Sequence, residues 1–218
     1  MTNVTGLHRS IIPLLLLCAL VGCQKKGGVW TLKSAPSGSE QVAMAVSDDP
    51  DERAKAITYW SSQGWGYGEA YMKYYASAAR TDESPVVRAL AVTALGKSGK
   101  REFVPDMVEV LKDGVPAVRV DAAIALDRVP GEPAVTQLQR QAVQDDSVDA
   151  RVAAIRALRH YRRADVLTTL VRCLADHPFA VSYQAHAALV YLTGQDAGFD
   201  AARWQPIVEK LAAQWQAK

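Results

Sequence analysis

Cysteine is scarce in this chain. There are 3, and two of them, Cys18 and Cys23, stand near the amino end, leaving Cys173 alone in the body. A disulfide-stapled framework is therefore excluded, and stability has to come from packing. Aromatic residues make up only 7%, and the formal net charge is +2. So balanced a chain gives no electrostatic case for bulk nucleic-acid binding. No apolar run reaches the roughly 20 residues of a membrane-spanning helix. Phosphate loop, dinucleotide fingerprint, nucleophile elbow and HExxH are all missing from the sequence, so no catalytic residue, metal site or cofactor is assigned.

What the chain does have begins at its amino end. Residues 1–10 carry Arg9 and no acid, and Ile11 to Val21 is apolar. That length suits the apolar segment of a secretory leader. Leu20-Val21-Gly22-Cys23 then resembles the lipobox of bacterial lipoproteins. The resemblance implies cleavage before Cys23 and lipid on its thiol, a membrane partner that several acyl chains make stable. Residues 1–22 are then a cleaved signal peptide, and 23–38 the lipidated cysteine and a flexible tether rich in Gly, Ser, Lys and Pro. Lys25 and Lys26 beside the anchor suit either anionic headgroups or plain solvation. Gln24 stands where, in enteric lipoproteins, Asp favours the inner membrane. The same resemblance implies the cell envelope, with the outer membrane facing the periplasm preferred.

The body of the chain repeats. Asp82, Asp113, Asp145 and Asp176 recur about 31 residues apart, which marks stacked structural units. Six residues after them come Arg88, Arg119, Arg151 and Ser182, followed by matched columns Ala91/Ala122/Ala154/Ala185, Ala94/Ala125/Ala157/Ala188 and Leu95/Leu126/Leu158/Leu189. Steps of this kind trace one face of a helix. In residues 101–112, Phe103, Val104, Met107, Val108 and Leu111 predict a helix ahead of each Asp turn. Pro85 and Pro116 sit where a helix begins. One such hairpin cannot bury its apolar faces alone, so neighbours must stack.

The segments Asp82-x-x-Pro85-x-Val87-Arg88 and Asp113-x-x-Pro116-x-Val118-Arg119, with their Ala and Leu columns, resemble HEAT repeats, including the short HEAT-like repeats of phycobilisome lyases. The resemblance implies an all-α solenoid of about five hairpins over 39–193. It also implies that Asp82, Arg88, Asp113, Arg119, Asp145 and Arg151 form a structural ladder. Pro50, Arg53 and Ala56 mark a looser first unit, followed by an insertion, Gly64-Trp65-Gly66-Tyr67-Gly68. Residues 194–218 resemble a capping segment found after some bacterial HEAT arrays. Asp200 is placed to cap its helix, and Trp204, Ile207, Leu211 and Trp215 to cover the open end.

Two surface features are candidate partner-binding sites. Arg156, Arg159, Arg162 and Arg163, with His160, form a basic cluster, which also suits a solvated helix end. Trp65, Tyr67 and Tyr71 belong to an aromatic set that suits either an interface or a cap. Cys173 and His177 stand four apart, but Cys173 shares a column with Ala79, Val110 and Ala142, a core position. His186 shares one with Val92, Ala123 and Ile155 and is expected to pack. Asp145, Asp146 and Asp149 lack calcium-loop spacing. Three readings follow. The first is a lipid-anchored, non-enzymatic adaptor for a protein partner in the envelope. The second is an auxiliary subunit or enzyme related to the lyase-associated repeats, by fold analogy. The third is a small-ligand binder at the aromatic insertion.

Overall fold

The computed structural model describes residues 23–26, 29–32 and 35–216. The leader, residues 1–22, lies outside them. The chain divides into two compact units, Met1–Ala43 and Met44–Lys218.

In the first unit, β1 (Cys23–Lys26) pairs antiparallel with β2 (Val29–Leu32), Cys23 opposite Leu32 and Lys26 opposite Val29. This stretch falls within the segment expected to be an irregular tether. Val29-Trp30-Thr31-Leu32 is rich in residues that favour extended backbone, and Gly27-Gly28 between the strands is a hairpin signal in the sequence.

The helices follow in order: α1 (Gly38–Ala45), α2 (Pro50–Ser61), a 3₁₀ turn (Gly64–Tyr67), α3 (Glu69–Thr81), α4 (Pro85–Ser98), α5 (Val104–Val110), α6 (Pro116–Arg128), α7 (Val135–Gln144), α8 (Val148–Leu158), α9 (Ala164–Cys173), α10 (Phe179–Thr193) and α11 (Ala201–Gln216). No helix among the described residues is long and apolar enough to cross a membrane.

Their boundaries follow local chemistry. Pro50, Pro85 and Pro116 open α2, α4 and α6, where a missing N–H costs nothing. The Asp49 carboxylate accepts from Asp51 N, and Ser147 Oγ from Ala150 N, satisfying donors that the helix leaves open. Gly99 and Gly194 stop α4 and α10 at φ 70° and 69°, a left-handed conformation that favours glycine.

The second unit is an α-solenoid of two helix rows. The second row is α2, α4, α6, α8 and α10, each stacked on the next. The first row sets α3 on α5, α5 on the turn Glu132–Ala134 ahead of α7, α7 on α9, and α9 on α11. Hairpins α3–α4, α5–α6, α7–α8 and α9–α10 join the rows. With α2 at the head of the second row, the array has four hairpins and one further second-row helix from the looser first unit, and α11 continues the first row past the last hairpin.

The repeated columns are the core. Ala91, Ala122, Ala154 and Ala185 are fully buried, as are Leu95, Leu126, Leu158 and Leu189. Small side chains let the second-row helices approach closely. The limit is reached at Gly96, where an added Cβ would lie 2.7 Å from both Cα and Cβ of Ala125.

Candidate functional site

The Asp and Arg columns meet between units. Arg53 pairs with Asp82 through two contacts of 2.8 Å. Arg88 holds Asp113 at 2.6 and 2.9 Å, and Arg119 holds Asp145 at 2.8 and 2.6 Å. The planar fork of arginine matches a carboxylate in this way. Each arginine also donates Nη1 to a carbonyl of its own turn: Arg53 to Ser47, Arg88 to Asp82, Arg119 to Asp113 and Arg151 to Asp145. Each aspartate accepts from the backbone N–H two residues on, at Ser84, Val115 and Ser147. The fourth rung is looser. Arg151 Nε is 3.0 Å from Asp176 Oδ2 but off the hydrogen-bonding direction, and Nη2 reaches Oδ1 at 3.3 Å.

Burial pushes the Asp82, Asp113 and Asp145 carboxyls up, yet the arginine and backbone donors outweigh it and hold all three below the ordinary carboxylate value. The ladder ends at both sides in serine. Ser47 occupies the aspartate position before Arg53, and Ser182 the arginine position after Asp176.

The basic cluster is largely neutralised from within. Asp127, on α6 and only 8% exposed, takes Arg156 Nε at 3.0 Å, Arg159 Nη2 at 3.2 Å and His160 Nε2 at 2.8 Å. Arg163 pairs with Glu132 and Asp165, each at 2.9 Å. Arg159 lies over the Tyr191 ring and Arg162 over Trp215, each at 5.9 Å from the centroid.

The aromatic insertion is mostly filled by its own rings. Trp60 packs on Tyr71 and Tyr74 at centroid distances of 5.0 and 5.3 Å, and Trp65 on Tyr71 at 5.2 Å. Tyr67 Oη donates to Ser61 O, Tyr74 Oη to Ala45 O, and the buried Tyr75 Oη to Gly66 O. Tyr67 and Tyr71 are half-buried, and Trp65 is 48% exposed. The insertion thus locks α2 to α3 and offers Trp65 to solvent.

A surface that the local sequence did not single out lies on the open face of the second row. Val86 is exposed. Ala89, Leu90, Val120, Ile124 and Val152 are half-buried there. On α10 the face ends in aromatics: Phe179, Tyr183 and Tyr191 are 67%, 56% and 68% exposed. Phe179 stacks loosely on Tyr183 and Phe199, at 5.9 and 5.7 Å.

Residues 75–150 match the family of HEAT repeats. The chain carries HEAT-like helical repeats. Among solved structures it is similar to the complex of CpcE and CpcF of phycocyanin lyase from Nostoc sp. PCC7120. That likeness has a TM-score of 0.62 at 21% identity over 89% of this chain and 76% of that one. It is also similar to the Escherichia coli protein YibA, with TM-score 0.61 and 18% identity over 78% of this chain and 62% of that one. An engineered protein matches with TM-score 0.56 at 15% identity over 84% of this chain and 100% of its own. At these identities the likeness is one of fold. No curated protein matches the chain.

Within the HEAT-like array the remaining candidates have structural surroundings. Cys173 is 3% exposed and directs Sγ to Ala142 O at 3.5 Å. Burial, helped by the Asp176 charge, pushes its thiol up to about 12, far from the thiolate that nucleophilic chemistry needs. In a chain carrying Cys18→Ser and Cys23→Ser, a thiol reagent at pH 8 should label Cys173 only after guanidinium is added. Labelling of the folded protein at the unfolded rate would contradict the core placement. His186 Nε2 meets Asp196 Oδ1 at 2.7 Å, its ring 4.6 Å from that of Phe199. The same Asp196 oxygen accepts from Gly198 N, and Trp204, fully buried, donates Nε1 to Gly198 O. This pins the turn that leads into α11, where Asp200 Oδ1 accepts from Ala202 N.

Proposed function

We propose that the protein is a non-enzymatic adaptor, moored in the cell envelope by lipid on Cys23, that engages a protein partner through its HEAT-like repeats. The outer membrane, facing the periplasm, is the favoured location, on the strength of Gln24 after the anchor. One observation carries the partner-binding part of this reading. Ala89, Val120, Val152 and Tyr183 stand at matched positions on successive second-row helices, with Val86 and Ile124 one turn away on the same face. Exposed apolar surface of that continuity is characteristic of interaction sites, and tyrosine is favoured in them. The basic cluster enters at its edge, since Arg156 borders the same face while its guanidinium is turned to Asp127. Of the aromatic insertion, Trp65 is the member left open enough to contribute a contact.

A photo-reactive amino acid at Val86 or Tyr183, in intact cells, should give a discrete crosslinked product. The same group at Thr136 or Thr168, exposed on the first row, should not. Equal crosslinking from both rows, or none from either, would sink the reading. The mooring is tested separately: Cys23→Ser should move the protein from the membrane fraction to the soluble one and abolish incorporation of a labelled fatty acid. Retention on membranes without label would overturn it.

A further inference from the structure

The open face has one feature that apolar contact does not account for. Between α6 and α8 lies a groove of about 450 Å³. Val120 and Ile124 form one wall, and Val152 part of the other. Asp121 stands among them, half-buried. Among the described residues no hydrogen bond or ion pair reaches its carboxylate, and the opposing charge that acts on it is Arg128. In the same column the other units carry Lys55, Leu90, Ala153 and Gln184, so Asp121 is its only acid. Asp149 adds a second carboxylate at the rim, with no ion pair among the described residues. The arginine that lines the groove, Arg156, is committed to the buried Asp127 at 3.0 Å.

An unpaired carboxylate in apolar surroundings is costly. Here burial pushes the carboxyl group above its ordinary value. A cation brought in from outside removes that cost and gains strength from the same low-polarity walls. The walls continue as apolar surface onto α4 and α10, so the ligand that fits is elongated rather than a small amine.

We propose that this groove seats a segment of the partner protein that brings one lysine or arginine onto Asp121, with apolar neighbours lying on Val120, Ile124 and Val152. The proposal rests on the adaptor reading and gives that partner its chemistry.

The probe is a library of random dodecapeptides displayed on phage, selected on the full chain. Selected peptides should share one lysine or arginine flanked by aliphatic residues. They should bind Asp121→Asn roughly tenfold more weakly, as loss of a partly desolvated charge pair requires. Asp121→Glu should retain binding within about threefold, and Thr136→Ala, exposed on the first row, should leave it unchanged. Because Asp121 makes no internal hydrogen bond and its charge is partly desolvated, Asp121→Asn should melt no lower than the parent protein, which separates a binding defect from a folding one. The proposal is overturned if no peptide family emerges, if the family lacks a cation, or if Asp121→Asn binds it equally well. If that happens while crosslinking from Val86 persists, the groove assignment fails and the adaptor reading stands. If selected peptides bind as described but neither row gives a cellular crosslink, the groove assignment stands and the adaptor reading fails.

Discussion

Arg88→Met should lower the free energy of unfolding by about 3 kcal/mol at neutral pH, because it strands Asp113 in the middle of the array. The pair is almost out of water, with side-chain exposures of 14% and 9%. Arg88 also supplies Nη1 to the Asp82 and Glu83 carbonyls, so the turn between α3 and α4 loses a clamp as well. Restoring neutrality with Arg88→Met/Asp113→Asn should recover part of the loss, since the asparagine carbonyl can still accept from Val115 N. The defect should shrink in acid, and the sign is fixed by linkage. Arg88 contributes to holding the Asp113 carboxyl below its ordinary 3.8. The stability that comes from this pair is therefore present above about pH 4 and is lost as pH falls through the depressed folded value. In Arg88→Met the desolvated carboxylate is relieved by protonation, so the two proteins converge as the pH drops. Urea titrations at pH 7 and pH 3 read this directly. A difference that stays constant or widens in acid would show that the pair is not what the substitution removed.

Gly66→Val should cost about 3 kcal/mol or more, and should do so without touching the repeat columns. A Cβ at this position would lie 1.8 Å from Trp60 O and 2.5 Å from its carbonyl carbon, both backbone atoms. No rotamer relieves such a clash, so the 3₁₀ turn has to lift away from α2. Lifting it takes Gly66 O from Tyr75, whose buried hydroxyl is then left without its acceptor. Gly64→Val serves as the control, since nothing lies within 4 Å of a Cβ there. Thermal melts of the two variants should differ by many degrees. Equal melting temperatures would mean that the insertion is not packed against α2.

The repeats were legible because an aspartate, an arginine, two alanines and a leucine recur at constant offsets, and the fold makes each column one kind of place. Cys173 is the plainest example: its column alone puts it in the core. What stayed hidden depended on partners one unit away. The four arginines from Arg156 to Arg163 read locally as a free basic cluster, yet Asp127, which holds two of them and His160, lies a whole repeat upstream. Reading Gly96, Asp127 and Arg159 as one column brings that pair side by side. Phe179, Tyr183 and Phe199 are spread over 21 positions of sequence and form no local cluster, unlike the dense tyrosines near Trp65. Those tyrosines mostly hydrogen-bond to backbone, whereas Phe179 and Tyr183 face outward on the last helix of their row. Asp121 was invisible for a similar reason. An acid on a helix normally points to water, and only the stacking of α6 on α8 shows that this one is half-enclosed.

The serines at the two ends of the ladder set how far the structure can grow. Inside the array, every arginine meets the aspartate of the following unit. If a second molecule abutted the last hairpin, the arginine needed to continue would be Ser182 and the aspartate to receive it would be Ser47. Neither end presents half of a ladder rung, and α11 already occupies the next place in the first row. Head-to-tail contacts between identical subunits build open filaments when nothing closes them. Here the device that glues unit to unit within one molecule is withheld between molecules. The array repeats its own interface from end to end, and neither end carries the pair that would extend it.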